Sequence, residues 1–158
     1  MDSPLVQNGK IIQVFAPASR SSAATGDYIN MRYYDRVEFI IQTGSVTAGG
    51  NVIFKEAKDV SGTSAATLNF DYFWEMTAAS DTYTKTSADS STSADCVTIG
   101  NSDDSKIFVV SIKGDILSDS FDCVTCTVPA GFSAANTAVT AIAYRSRYAQ
   151  AAPPTALT

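Results

Sequence analysis

Apolar and polar residues of this chain fall into short stretches with the period-two repeat of a strand, whose successive side chains face opposite ways. Residues 36–42 are rich in β-branched and aromatic types and stop at Thr43 and Gly44. Residues 51–57 form the next such run. The link over 45–50 ends in Gly49 and Gly50, which permit positive φ, so the two runs are expected to make an antiparallel hairpin. The strongest run is 106–113, with Ile107 and Val109 on one face and Phe108, Val110 and Ile112 on the other. Apolar residues on both faces predict a central strand covered on both sides.

Further strands are expected over 122–128, where Pro129, Ala130 and Gly131 mark the end, and over 137–144. Shorter candidates are 10–15 and 28–32, and the aromatic stretch 67–76 has strand propensity. The nearest thing to a helix, residues 114–119, supports one turn at most. Seven or eight short strands separated by turn signals predict an all-β domain, an antiparallel sandwich (jelly-roll-like) or a small barrel. Residues 87–95 and 101–105 are polar and read as exposed loops.

The ends differ from the body. Prolines remove ladder donors and alanines bury little, so residues 148–158 read as an extended tail and residues 1–9 as an arm. The 158 residues then divide into one domain, with a body of about 10–147 between the two arms.

Composition narrows the chemistry. There is no histidine, so Ser-His-Asp and Cys-His catalysis cannot be built within the chain, nor can a His-containing zinc site. The net charge of −5 and the scattered Lys and Arg argue against nucleic acid. No apolar run approaches the roughly 18–20 residues of a membrane span. Residues 1–7 do not resemble a signal peptide, so synthesis in the cytoplasm is expected. The three cysteines, Cys96, Cys123 and Cys126, fit that compartment. Residues three apart on a strand face opposite ways, so Cys123 and Cys126 are expected to be inert thiols that share no metal.

Carboxylates remain to be weighed. Asp103 and Asp104 are adjacent, and Asp115, Asp119 and Asp122 lie close together. A glycosidase pair or a calcium loop would need geometry that spacing does not supply, and turn formation by Asp is the simpler account. No enzyme and no cofactor are expected. In the aromatic cluster Phe70, Asp71, Tyr72, Phe73 and Trp74, a role in core or subunit interface is favoured over a sugar platform. The sugar-binding alternative would use Tyr72, Trp74 and Tyr83.

Residues 108–117, followed by Phe121, Asp122, Cys123 and Val124, resemble a pattern of small head proteins of tailed bacteriophages. Residues 27–31 and 35–39 fit the same pattern. The ending Tyr144, Arg145, Ser146, Arg147, Tyr148 with its Ala/Pro tail is similar to theirs, although Arg145 and Ser146 replace the usual acidic residue and Pro. The resemblance implies a capsid decoration, or cement, protein: a structural virion protein on the outer surface of the head. It implies a homotrimer that bridges subunits of the major capsid protein. The expected contact residues are Pro4, Leu5, Val6, Tyr144, Arg145, Arg147, Tyr148, Pro153, Pro154 and Leu157. A head-completion, neck or tail protein is the alternative within the virion.

Overall fold

The computed structural model describes residues 9–76, 80–90, 94–130, 132–146 and 157. Among these residues the chain is all-β, with thirteen strands in two antiparallel sheets and no helix. No helix there is long and apolar enough to cross a membrane. The sheets pack face to face as a sandwich and do not close into a barrel.

Sheet I runs in the order β1 (Gly9–Arg20), β13 (Ser133–Ser146), β4 (Tyr34–Gln42), β11 (Ile107–Lys113), β8 (Tyr72–Met76) and β9 (Tyr83–Ser87). A short β5 (Val46–Ala48) adds to β13. Sheet II runs β10 (Cys96–Ile99), β6 (Gly50–Ala57), β12 (Cys123–Val128) and β2 (Ala24–Thr25). There β3 (Ile29–Asn30) pairs with β12, and β7 (Ala66–Leu68) pairs with β6.

The core lies between the sheets. Sheet I contributes Val37, Phe39 and Ile41 of β4, Phe108, Val110 and Ile112 of β11, and Val139 and Ala141 of β13. Sheet II answers with Val52 and Phe54 of β6, Val97 of β10, and Val124, Cys126 and Val128 of β12. Phe39 meets Phe54 edge-on at 5.1 Å across the gap, and Phe70 meets Phe54 at 5.2 Å. Each fully buried Phe contributes about 1.5–3 kcal/mol by leaving water.

The expected hairpin of residues 36–42 and 51–57 is not formed. Strand β4 belongs to sheet I and β6 to sheet II, so the chain arches across the core between them. The apolar faces of the two strands meet each other, which buries more than edge pairing would. Neither Gly49 nor Gly50 has positive φ; among the described glycines only Gly62 does, at 79°. Gly49 instead lets the arch pass against the Ile99 carbonyl, where a Cβ would collide.

Residues 67–76 also do not form one strand. They split into β7 in sheet II and β8 in sheet I, and Phe70 fills the core at the crossing. The 10–15 candidate extends to Arg20 through three register shifts, whereas that at 28–32 shrinks to two residues. Strand β11 is central, between β4 and β8, as its pattern predicts. Only its Phe108 face is buried, however; Ile107, Val109 and Ser111 on the outer face stay half-exposed.

Candidate functional site

In the acidic loop before β11, the carboxylates that could hold a metal or form a catalytic pair are engaged in holding the fold. Asp103 accepts from the Gly100 N–H at 2.6 Å and from the Lys106 ammonium at 2.7 Å. Asp104 accepts from the Val46 N–H at 2.6 Å, and Asn101 from the Gly49 N–H at 2.7 Å. The Thr43 hydroxyl donates to the Asp103 carbonyl at 2.6 Å. Lys106 also reaches Glu75 at 2.5 Å. Its hydrogen bonds to Asp103 and Glu75 raise its pKa. The loop thus ties the arch of residues 43–50 to β11. No group of three or more Cys, Asp or Glu converges as a metal site among the described residues.

Cys96, Cys123 and Cys126 are buried and form no disulfide. Strand alternation puts Cys126 in the core and Cys123 on the opposite face of β12, also buried. Burial pushes Cys126 up to about 12 and Cys123 up to about 11, the latter helped by Asp122 and Asp59. At neutral pH both are thiols and poor nucleophiles.

Alternation also divides the aromatic cluster. Phe73 points into the core, while Tyr72 and Trp74 lie on the outer face of sheet I, 40% and 39% exposed. Their rings meet edge-on at 6.3 Å. On the neighbouring β9, Tyr83 is exposed as well, and the Lys85 ammonium sits 3.6 Å from the Tyr72 ring centre. The aromatic residues at this edge are therefore part core and part surface.

The outer face continues across the sheet. The register sets Ile11 of β1 beside Ile142 of β13, and Thr140 beside Ile40 of β4. It then sets Ile40 beside Val109 of β11, and Val109 beside Trp74 of β8. Ile11 is 51% exposed and the interior members are half-buried. Sheet II lies against the other side, so this side carries an apolar stripe at the surface.

At one end of the stripe the face becomes polar. Arg36 and Lys113 are cross-strand neighbours, and so are Glu38 and Ser111. Arg36 donates to the Ser111 hydroxyl at 3.4 Å. Tyr144 of β13, opposite Arg36, donates its hydroxyl to Glu38 at 2.7 Å. Burial and that bond raise the Tyr144 pKa. Arg36, Ser111, Lys113 and Tyr72 line a cleft of about 310 Å³.

Of the sequence-predicted contact residues, Tyr144 is therefore a half-buried member of sheet I. Arg145 belongs to β13 by its backbone, and Leu157 is exposed. Pro4, Leu5, Val6, Arg147, Tyr148, Pro153 and Pro154 lie outside the described residues. Gly9 pairs with Tyr144, so the start of β1 and the end of β13 lie together at one corner of sheet I. Sequence reasoning passed over Ile40, Val109, Arg36 and Lys113 as a shared surface. The two-sided apolarity of 106–113 is the signal for the stripe, but the pattern alone reads equally as a strand covered on both faces.

No family model and no curated protein sequence matches the chain. Among solved structures it is similar to the SPBc2 prophage-derived protein YomS, with a TM-score of 0.50 over 87% of this chain and 94% of that chain. The two are 13% identical, so the likeness is one of fold.

Proposed function

We propose that the protein is a structural component of a phage virion, a decoration protein that binds the outer surface of the head as a homotrimer and bridges major capsid subunits. The observation that carries this reading is the surface stripe of Ile11, Ile142, Ile40, Val109 and Trp74 on sheet I. Sheet faces in a monomeric domain usually turn such residues to the core, and a contiguous apolar patch at the surface marks a contact. The start of β1 and the end of β13 lie together on the sheet that carries the stripe, which supports arms and stripe engaging one lattice together. The fold shared with a prophage-derived protein supports the phage setting.

Shell stabilisation then needs no chemistry. A protein that binds only the assembled lattice stabilises it by mass action, and the terminal arms add avidity to the stripe. The test is occupancy on purified heads. A decoration protein is present in hundreds of copies per particle, whereas a neck or tail component contributes about one ring. Deleting residues 148–158 leaves the domain folded and lowers occupancy. Unchanged occupancy overturns the role of the tail, and a copy number of about one ring overturns the decoration reading in favour of a neck or tail protein.

A further inference from the structure

The cleft at the polar end of the outer face holds two cations that no carboxylate balances among the described residues. Arg36 and Lys113 stand side by side across β4 and β11, and no ion pair joins either to a carboxylate among the described residues. The Arg36 Nε is shut off from solvent and has no hydrogen-bond partner there. Its guanidinium makes a long hydrogen bond to Ser111 and also reaches the Tyr144 hydroxyl, and neither partner carries a charge to match it. A shielded donor without an acceptor costs free energy, about 1–3 kcal/mol, unless something else meets it. A guanidinium beside an ammonium presents the fork that a carboxylate fits.

The rest of the cleft specifies more than an anion. Tyr72 lines it with an aromatic ring, one side of which carries the Lys85 ammonium. Asn69 and Asp71 line it from the crossing between β7 and β8. Asn69 accepts from the Asp95 N–H through its oxygen, which leaves its amide group as a donor. Asp71 is exposed, and its carboxylate has no partner among the described residues. An acidic peptide brings the same carboxylate but has no hydroxyl to offer Asp71. A carboxylated sugar satisfies both signs, with its carboxylate on Arg36 and Lys113, its hydroxyls on Asp71, Asn69 and Ser111, and its ring face on Tyr72. The volume of about 310 Å³ is at the small end of ligand sites and suits one sugar ring.

We infer that this cleft is a binding site for an acidic sugar of the uronate class, one residue of a polyanionic glycan. The site stands apart from capsid attachment and is tested on the isolated chain. Trp74 is the chain's single tryptophan and lies against Tyr72, so its emission reports occupancy directly. The probes are a galacturonate trisaccharide, a neutral glucose trisaccharide and an oligoglutamate peptide, each titrated by fluorescence and calorimetry.

The expected result is saturable binding of the galacturonate, weakened by salt and at least about tenfold tighter than the neutral sugar. Arg36→Gln and Tyr72→Ser each weaken it about tenfold or more, and Lys113→Gln by a smaller factor. If Arg36→Gln does not fold, Tyr72→Ser and Lys113→Gln decide, since both side chains are exposed. Three results overturn the inference: no saturable galacturonate binding, binding indifferent to these substitutions, or equal binding of the neutral sugar. Tighter binding of oligoglutamate also overturns it, by making the ligand an acidic peptide. None of these outcomes bears on head occupancy, which tests the decoration reading separately.

Discussion

Two charged clusters of this sandwich use similar residues in opposite ways. In the loop of residues 100–106, Asp103, Asp104 and Asn101 each accept a backbone N–H, and Lys106 has two carboxylate partners. At the cleft, Arg36 and Lys113 have none among the described residues. The first cluster closes on itself and holds the arch against β11. The second leaves its charges facing a cavity. A charge is thus structural where groups of the complementary hydrogen-bonding role and sign point at it, and available for a ligand where they do not.

The contrast is broken most forcibly at Asp103. Replacing it with Ala strands the Gly100 N–H and takes one of two partners from Lys106. Hydrogen bonds to charged groups contribute about 1.5–3 kcal/mol each, so a loss of about 3 kcal/mol is expected in urea unfolding. A change below about 1 kcal/mol would mean that the loop is held by its backbone bonds alone.

A pH series probes the same interior. The folded-state pKa of Cys126 is raised to about 12 and that of Cys123 to about 11, against 9.0 when unfolded. The folded chain therefore holds protons that the unfolded chain gives up. This contribution is complete below pH 9 and is lost as pH rises through 11 to 12. Lys106, also raised from 10.5, acts in the same direction. The melting temperature should be level between pH 7 and 8.5 and fall above pH 9. A fall that survives Cys123→Ala and Cys126→Val would assign it to Lys106 and the tyrosines.

The cleft should respond with far less stability at stake. The double variant Arg36→Gln, Lys113→Gln removes no ion pair among the described residues but loses the Arg36 hydrogen bond to Ser111, so its unfolding free energy should shift by about 1 kcal/mol. A loss above about 2 kcal/mol would show that the two cations are structural, and the contrast with the acidic loop would disappear.

How much of this was legible beforehand follows from where the information sits. Period-two patterning marked β4, β6, β11, β12 and β13, because each alternates a buried apolar face with a more polar one. It did not show that β4 and β6 face each other, since alternation says which side is apolar and not what covers it. The short β5 and β10 hold too few residues to show a repeat, and the exposed β9 has Tyr83 as its single apolar position. The cleft was not legible at all. Arg36 and Lys113 are 77 positions apart, and only the antiparallel register brings them together.

The smallest expected change in stability is also the sharpest test of the stripe. Ile11 is half-exposed on the edge strand β1, next to Ile142. Thr keeps the β-branched shape and strand propensity but replaces a methyl-bearing arm with a hydroxyl. Ile11→Thr should therefore change the unfolding free energy by about 0.5 kcal/mol or less. If the stripe is a contact, the same change removes apolar area from every copy at the interface, and head occupancy at limiting concentration should drop several-fold. Paired with Trp74→Thr at the other end of the row, the drop should deepen while the melting temperature holds. Full occupancy in the double variant would leave the arms as the sole attachment and reduce the stripe to ordinary surface.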